Sequence, residues 1–334
     1  MGRVAITDVA SAAGVSKTTV SNFYNAPHKL SEPVRARVSA AIQSLGYVRS
    51  DAARRLRAGS STVIGHLTIE IGSAWFSEVA NEVEKLAAEA GFHVLVANTA
   101  GNKERERQYL ELFAAQQVRG VIVASQGDVE PQLQKLQGFG IPFVLTGQKS
   151  ESPFQASVSV DDRAGGYLAV KHLIERGKRR ICFVGGPLEI RQVSDRFHGA
   201  SQAVSETPKA TLEIVLVEER TLSEGRNVAQ KLLSRGPERV PDGIFAANDL
   251  LAIGLLDGIL RDGRLGVPED VAVIGYDDLE VGSTNSVPVS TIHTSPRAYG
   301  RAAINLLLQQ FDGPGNTEQR HVVFEPQLII RSST

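Results

Sequence analysis

The chain has 334 residues, a formal net charge of −1 at pH 7, one cysteine and 42% hydrophobic residues. Its length leaves room for more than one domain, and a single cysteine excludes a disulfide framework. No apolar run approaches the roughly 18 residues of a membrane span, and charged residues interrupt the N-terminus where a secretory signal would be apolar, so we expect a cytoplasmic protein.

The charge is unevenly distributed along the chain. Residues 1–60 carry nine Lys/Arg and three Asp/Glu, a formal charge of +6, whereas the remaining residues carry 27 and 34, a formal charge of −7. A basic head on an acidic body indicates a polyanionic partner for the head alone. The alternative is a chance excess of basic residues on a small domain.

Residues 8–22 contain two short helical patterns separated by Gly14-Val15. Ser16 is a good N-cap for the second helix, which we expect to bury Val20. Its outward face is predicted to carry Lys17, Thr18, Ser21 and Asn22. Two short helices joined by a glycine-containing turn are typical of a helix-turn-helix, whose second helix enters the major groove of DNA. Any small helical hairpin has a similar pattern, but the basic charge of this region favours DNA.

A third helix is predicted after the loop at residues 25–29. Ser31 caps it and Pro33 lies in its first turn. The residues that complete a three-helix core are Val34, Val38, Ala41, Ile42 and Leu45. Tyr47 is expected to pack on that core and to offer its hydroxyl to a phosphate.

Residues 51–61 form a short arginine-rich segment that is too short to be a stable helix in water. We expect it to fold on DNA, with arginines along the minor groove and Leu56 as an apolar wedge. The alternative is a plain charged linker.

From residue 63 onward, apolar strands alternate with helices. Strands are predicted at residues 63–71, 93–97, 120–124, 142–145, 181–184, 212–217, 243–246 and 271–274. Helices are predicted at residues 76–90, 104–117, 164–176, 224–235 and 250–261. This alternation predicts a doubly wound parallel α/β fold, and its length indicates two lobes with a ligand crevice between them.

Polar and aromatic side chains follow several of these strands: Trp75, Phe76, Gln148, Arg191, Gln192, Asp195, Arg196, Asn248, Asp249, Tyr276, Asp277 and Asp278. Rings beside carboxylates, amides and arginines suit a sugar or a nucleoside. Taken singly, each has a structural alternative: Asp249 as a helix cap, Tyr276 as core, and Trp75 and Phe76 as packing at a helix start.

Motifs for catalysis are missing from the sequence. It has no Walker loop, no G-x-G-x-x-G, no G-x-S-x-G and no Cys/His metal spacing. His172 and His198 have no second His or Cys at i+3 or i+4. We therefore expect no enzyme activity, no cofactor, no catalytic residues and no metal.

Short motifs of one regulator family recur along the chain. In the N-terminal region they are Ile6-Thr7-Asp8-Val9-Ala10, Ala13-Gly14-Val15-Ser16, Thr19-Val20-Ser21 and Ala53-Arg54-Arg55-Leu56. In the core they are Asp161-Asp162-Arg163-Ala164-Gly165, His172-Leu173-Ile174-Glu175-Arg176-Gly177, Gly185-Gly186-Pro187, Asn248-Asp249, Gly275-Tyr276-Asp277-Asp278 and Thr291-Ile292. On these motifs the chain resembles, end to end, the lactose-repressor/galactose-repressor (LacI/GalR) family of bacterial transcription regulators.

The resemblance implies a core shaped like periplasmic sugar-binding proteins and a homodimer on a pseudo-palindromic operator. It implies base contacts by Lys17, Thr18, Asn22 and Leu56. It implies phosphate or hinge contacts by Ser16, Thr19, Ser21, Asn25, Ala53, Arg54 and Arg57. The effector contacts expected from the family and the strand ends together are Trp75, Phe76, Gln148, Gln192, Arg196, Arg220, Asn248 and Asp277.

Several positions depart from the family pattern. Ala5 stands where a Ser or Thr usually caps the first helix, and Asn22 stands where many members carry Arg, which favours adenine over guanine. Arg49-Ser50-Asp51 replaces the usual Pro-Asn before the hinge. Arg220 falls near the position of an aromatic wall, and with Arg191 it would suit an acidic or phosphorylated effector. The commoner explanation is that both arginines are simply exposed. No C-terminal heptads follow, so we expect a dimer rather than a tetramer.

The sequence thus predicts a small all-α helix-turn-helix domain at residues 1–50, a hinge at 51–61 and a two-lobed α/β effector-binding core at 62–334. The first lobe is predicted at about 62–161 and 293–321, and the second at about 162–292 and 322–334. The predicted function is a DNA-binding repressor controlled by a sugar or sugar derivative. The alternatives are a solute-binding protein for sugar uptake and a sugar-modifying enzyme.

Overall fold

A computed structural model of the chain describes residues 4–47, 61–125, 129–150, 152, 155–312 and 320–334. These residues divide into two compact units, Met1–Ser61 and Thr62–Thr334. The predicted hinge contacts of Ala53, Arg54, Leu56 and Arg57 lie outside the described residues, so they stay predictions.

The first unit contains three helices, α1 (Ile6–Ala13), α2 (Lys17–Asn25) and α3 (Glu32–Leu45), with a 3₁₀ turn at Pro27–Lys29. Gly14 ends α1 at φ 63°, a left-handed conformation that glycine adopts without strain. The fully or largely buried core is Val9, Ala10, Ala13, Val20, Val38 and Ala41. Tyr47 packs on this core as predicted.

The first lobe of the second unit is built on a six-stranded parallel sheet in the order β11-β5-β4-β3-β1-β2. Its strands are β1 (Val63–Thr68), β2 (His93–Asn98), β3 (Gly120–Ala124), β4 (Phe143–Thr146), β5 (Ala156–Val160) and β11 (His321–Phe324). Its helices are α4 (Ala74–Glu89), α5 (Lys103–Ala115), α6 (Glu130–Gly138) and α12 (Pro296–Gln309). Helices α4 and α12 cover one face of the sheet, and α5 and α6 cover the other.

The second lobe is built on a four-stranded parallel sheet in the order β7-β6-β8-β9. Its strands are β6 (Arg180–Gly185), β7 (Thr211–Leu216), β8 (Gly243–Ala246) and β9 (Ala272–Ile274). Its helices are α7 (Asp162–Glu175), α8 (Arg191–Ser205), α9 (Leu222–Leu233), α10 (Asp249–Asp262) and α11 (Glu280–Ser283). A two-stranded antiparallel sheet of β10 (Thr291–His293) and β12 (Gln327–Ile329) packs on α7.

The predicted fold class, a helix-turn-helix unit followed by a two-lobed parallel α/β core, is confirmed. The lobe boundary near the C-terminus differs from the prediction, which placed residues 322–334 in the second lobe. Strand β11 instead pairs with β5 in the first sheet. This pairing satisfies backbone groups of β5 that an edge strand would leave open. The chain therefore passes between the lobes after β5, after β10 and after β11.

Candidate functional site

The N-terminus of α2 carries the predicted DNA-reading face. The Ser16 hydroxyl accepts a hydrogen bond from the Thr19 backbone N–H at 3.1 Å, which confirms the predicted N-cap. Lys17 and Thr18 are exposed, and Asn22 is half-buried. Donors therefore project from the first turn of a capped helix, the geometry that base-edge and phosphate contacts require.

Ser21 does not belong to that outward face. It is 7% exposed, and its hydroxyl accepts a hydrogen bond from the Asn25 side-chain amide at 3.1 Å. The helical period places Ser21 next to the buried Val20, on the side that faces the core. The prediction that Ser21 points outward is wrong.

The second candidate site is a pocket between the two lobes of the second unit, which we call the inter-lobe pocket. Seven of the eight predicted effector residues line it: Trp75, Phe76, Gln192, Arg196, Arg220, Asn248 and Asp277. It is lined by the carboxyl ends of β1, β3, β4 and β5 and by the starts of α7, α8 and α10. This is the position expected for a ligand site in an open α/β fold.

Arg196, on α8, is held by an extensive set of contacts. Its Nε donates to the Asp162 carboxylate at 2.8 Å, and its Nη1 donates to the Ala247 carbonyl at 2.6 Å. Its guanidinium carbon lies 3.5 Å from the centroid of the Tyr276 ring. Burial lowers the pKa of this guanidinium, but the adjacent Asp162 carboxylate outweighs that effect and the net pKa is raised. Arg196 is therefore a fixed cation with one nitrogen, Nη2, directed toward Asp277.

Two glycines allow that arrangement. A Cβ at Gly166 on α7 would meet the Arg196 backbone carbonyl, and a Cβ at Gly199 on α8 would meet the Arg163 carbonyl. The two helices cross at backbone contact only because both positions lack a side chain. This close crossing brings Arg196 beside Asp162, the first residue of α7.

Asp277 lies 3.9 Å from Arg196 Nη2 and has φ 103°. Its backbone N–H donates to the Ile292 carbonyl at 2.9 Å, which fixes the turn that presents its carboxyl to the pocket. Burial raises the pKa of this carboxyl to about 6, although Arg196 opposes the change. Asp277 and Arg196 together offer adjacent acceptors and donors.

An aromatic wall closes one side of the pocket. Trp75 makes edge contacts with Phe76 and Tyr299, with ring centroids 5.1 and 5.0 Å apart. The indole N–H of Trp75 donates to the Thr294 hydroxyl at 2.9 Å. Trp75 is therefore fixed by packing and by its hydrogen bond, and it supports the half-buried Phe76.

Polar contacts join the two lobes around the pocket. The Gln192 side chain donates to the Gly147 carbonyl at 2.9 Å. The Arg220 guanidinium lies 3.8 Å from the Glu70 carboxylate, and burial lowers the pKa of this guanidinium. These contacts connect helices and loops of the second lobe to the ends of β1 and β4.

Asn248 and Asp249, at the start of α10, make different contacts. Asn248, and not Asp249, caps α10 by accepting the Leu251 N–H at 3.0 Å. Asp249 is fully buried and accepts hydrogen bonds from the Thr291 hydroxyl and the Leu279 N–H, both at 2.7 Å. Burial raises its pKa to about 8. The structural alternative that Asp249 caps the helix does not hold, and Asp249 also lies outside the pocket lining, whereas the core position of Tyr276 is confirmed.

The remaining strand-end residues lie outside the pocket lining. Gln148 accepts from Arg191 at 3.4 Å, and Arg191 also lies 3.7 Å from Asp195. Asp278 binds Arg331 at 2.6 Å and His293 at 3.0 Å. These side chains are paired with protein groups rather than directed at a ligand.

Other polar pocket residues were not predicted: His66, Glu70, Ser73, Thr146, Asp162, Thr294 and Tyr299. Asp162 follows β5, a strand whose two serines obscure its apolar pattern. His66 is a single imidazole within an otherwise apolar strand, a signal that the sequence did contain.

The described part of the chain holds no cluster of three or more His, Cys, Asp or Glu side chains suited to a metal ion. Within the same ranges, every helix is too short or too polar to cross a lipid bilayer.

Comparison with known families and proteins agrees with this geometry. Residues 5–50 match the family described as bacterial regulatory proteins, lacI family, and residues 170–334 match the periplasmic binding protein-like domain. The chain is 31% identical to the HTH-type transcriptional repressor PurR of Vibrio atlanticus over 330 residues, which covers 98% of each chain.

Two solved structures are similar over nearly the whole chain. The lac repressor dimer bound to operator and the anti-inducer ONPF aligns with a TM-score of 0.81 at 25% identity and covers 99% of each chain. The complex of the transcriptional regulator CelR with cellobiose aligns with a TM-score of 0.72 at 28% identity and covers 99% of this chain and 100% of that one.

Proposed function

The chain belongs to the LacI family of bacterial regulatory proteins, and we propose that it represses transcription under the control of a neutral sugar bound in the inter-lobe pocket. Its relatives are transcriptional repressors, so the chain is a DNA-binding regulator with an effector-binding domain and not an enzyme. We propose in addition that the effector is a sugar, that the chain forms a dimer, and that the pocket residues contact the effector.

The main support for a sugar effector is the pairing of Asp277 with Arg196 beside the Phe76 ring. A carboxylate and a guanidinium 3.9 Å apart can accept from and donate to neighbouring hydroxyls of one ligand. An aromatic ring covers the apolar face of a sugar ring, which hydroxyl contacts alone leave unpaired. Asn248 adds an amide to the same lining, although its side chain also caps α10.

The charge of the pocket favours a neutral effector over a phosphorylated one. Its lining contains three carboxyl groups, Glu70, Asp162 and Asp277, and two guanidinium groups, Arg196 and Arg220. Arg196 is paired with Asp162, and Arg220 lies beside Glu70. No guanidinium of this lining is therefore left without a carboxylate neighbour, and a phosphate would meet a formally negative site.

Two similar structures are described as complexes with small molecules. CelR is described as a complex with cellobiose, and the lac repressor as a complex with the anti-inducer ONPF. Carried to this chain, these names support a small-molecule effector, and the pocket chemistry favours a sugar.

The dimer is proposed from the similarity to the lac repressor dimer and from two exposed apolar sheet edges. Strand β2 ends the first sheet and exposes Leu95 and Val96, and strand β7 ends the second and exposes Ile214 and Leu216. Monomeric proteins rarely leave apolar edge strands open to solvent. A second copy of the chain covers both edges.

In this proposal, the effector controls DNA binding by changing the arrangement of the two lobes. Because the effector contacts both, it has a different affinity for each arrangement of the lobes. Residues 51–61 connect the DNA-reading helices to the core, so a change in the arrangement of the lobes alters the affinity for the operator. A solute-binding protein for sugar uptake shares the core but does not need the capped α2 helix with its exposed Lys17.

The test is a thermal-shift screen of the full chain against glucose, galactose, mannose, ribose, arabinose, cellobiose, two sugar phosphates and a set of nucleosides. A ligand at about 100 times its Kd stabilises the folded state by roughly 2.7 kcal/mol. We expect a neutral sugar to raise the melting temperature and to change binding to a duplex selected by the protein from a random library. A shift from phosphates or nucleosides only contradicts the sugar. Absence of any duplex binding would indicate the solute-binding alternative.

A further inference from the structure

His66 is a buried imidazole that lines the inter-lobe pocket. It lies on β1 and is 2% exposed. Because side chains alternate along a strand, His66 shares a face with Ile64 and Thr68. That face is covered by α4 and α12, and the imidazole also borders the inter-lobe pocket.

One nitrogen of this imidazole has no protein partner. Among the described residues, His66 Nδ1 has no hydrogen-bond partner. A buried polar atom left unpaired costs about 1–3 kcal/mol, so such atoms are rare unless something else pairs with them. Burial also lowers the pKa of His66 to about 4, so the ring is neutral at pH 7 and can both donate and accept.

The opposite lobe presents a second atom of the same kind. Gln192 Oε1 is buried without a protein partner in the part of the chain that the structure describes, while the amide nitrogen of the same side chain is bound to Gly147. Both side chains line the inter-lobe pocket. Two unpaired polar atoms on facing lobes mark positions that a hydroxyl-bearing ligand would satisfy.

We infer that His66 is a specificity-determining contact of the effector, binding through Nδ1 a hydroxyl on the part of the ligand that enters the first lobe. The inference rests on the proposed function and extends it, since it requires a polar group at a position that the Asp277 and Arg196 contacts do not reach. A ligand with an apolar group there leaves the imidazole unpaired and binds more weakly.

Thr68 provides the matched control. It lies two residues further along the same face of β1, is 1% exposed, and its hydroxyl also has no partner among the described residues. It does not belong to the pocket lining. Thr68→Val therefore removes a similar unpaired atom from the same strand without touching the ligand.

The experiment compares wild type with His66→Leu, His66→Asn, His66→Gln and Thr68→Val. The probes are the sugars named above, and affinity is measured by titration calorimetry for each sugar that shifts the wild-type melting temperature. Asn places a polar atom near the position of Nδ1, whereas Gln reaches the position of Nε2. We expect His66→Leu and His66→Gln to weaken sugar binding at least tenfold, and His66→Asn and Thr68→Val to stay within about threefold of wild type.

The outcomes test the His66 contact and the proposed function separately. Wild-type affinity in His66→Leu overturns the His66 contact and leaves the proposed function intact. Equal losses in His66→Leu and Thr68→Val indicate a packing effect and also overturn it. If His66→Leu does not fold, the comparison of Asn with Gln decides, and equal affinities in these two variants overturn the Nδ1 contact. No shift of wild type by any sugar overturns the proposed function and the inference together.

Discussion

The Glu70 carboxylate of the first lobe lies 3.8 Å from the Arg220 guanidinium of the second lobe. Arg220 is further held by its Nη1, which donates to the Gly186 carbonyl at 2.8 Å. Glu70 is about half exposed, at 53%, so this ion pair adds little to the free energy of unfolding. Its importance lies in its position, since it joins the lobes at the pocket and neutralises one of the two arginines there.

Glu70→Gln should change ligand selectivity more than stability. The substitution keeps the size of the side chain but leaves Arg220 without its carboxylate neighbour, so the pocket loses one negative charge. We expect phosphorylated sugars to bind more tightly than they bind wild type, with a gain that shrinks as salt is added. The melting temperature should change by a degree or two at most.

The matched control is Glu78→Gln. Glu78 pairs with Arg297 at 3.3 Å, but both lie in the first lobe, on α4 and α12. This variant should bind sugars and sugar phosphates as wild type does. An equal change of selectivity in both variants would assign the effect to overall charge rather than to the pocket.

Asp277→Asn should raise stability near neutral pH while removing the response to effector. Burial raises the pKa of the Asp277 carboxyl from 3.8 to about 6 in the folded chain. Between these pH values the folded state binds more protons than the unfolded state, so the free energy of unfolding decreases as the pH rises. Removing the ionisable group should therefore stabilise the chain by on the order of 3 kcal/mol at pH 7, by less than about 1 kcal/mol at pH 4 and by nothing well below pH 3.8.

Denaturant unfolding between pH 4 and 8 measures this difference, with Asp278→Asn as the control. Both aspartates have positive φ, of 103° and 58°, and because asparagine has the same shape as aspartate, neither substitution adds backbone strain. Asp278 is paired with Arg331 at 2.6 Å, and its loss should destabilise the chain at pH 7. If Asp277→Asn stabilises the chain as much at pH 4 as at pH 7, burial of the ionised Asp277 carboxylate is not the cause.

The fold was largely predictable because strand and helix patterns in the core are strong. The strands missed were β5, β10, β11 and β12. Strand β5 carries two serines within five residues, and the other three have only three or four residues each, too few for a pattern to emerge. The pairing of β11 with the first sheet depends on contacts between residues far apart in the chain.

The pocket was predictable where a residue directly follows a strand, as Asp277 and Asn248 do. It was not predictable where tertiary contacts decide the direction of a side chain. Gln148 follows β4 but pairs with Arg191 outside the lining, and Asp249 turns into the core. Ser21 was misplaced because polar residues usually face solvent, whereas its bond from Asn25 makes burial tolerable.

Lys17→Ala should weaken DNA binding because it removes a positive charge. Lys17 is exposed at the first position of α2, where an ammonium group can reach a phosphate or a guanine edge. If it neutralises a phosphate, the slope of log affinity against log salt should decrease in magnitude by about one. Lys85→Ala, on α4 of the core, is the control and should leave the slope unchanged. Fluorescence anisotropy with the selected duplex at four salt concentrations measures both variants.

Ser21→Ala should act differently from Lys17→Ala, because Ser21 is buried. Its loss removes the acceptor for the Asn25 amide and should speed hydrogen exchange of α2, while the salt slope stays that of wild type. Exchange measured by mass spectrometry on peptides covering α2 provides the readout. A loss of duplex affinity in Ser21→Ala without faster exchange of α2 would instead support a direct phosphate contact by the hydroxyl.

Leu216→Glu should separate the proposed dimer into monomers. Leu216 ends β7, the edge strand of the second sheet, and is 60% exposed, so a carboxylate is tolerated in the monomer but would be buried between two copies. Phe139→Glu is the control, since Phe139 is 69% exposed at the end of α6 and away from both edge strands. Sedimentation velocity should show a monomer for Leu216→Glu and a dimer for Phe139→Glu. Because a palindromic operator needs two reading helices, the monomer should bind a single half-site and the full site with equal affinity. If both variants are dimers, the interface lies elsewhere.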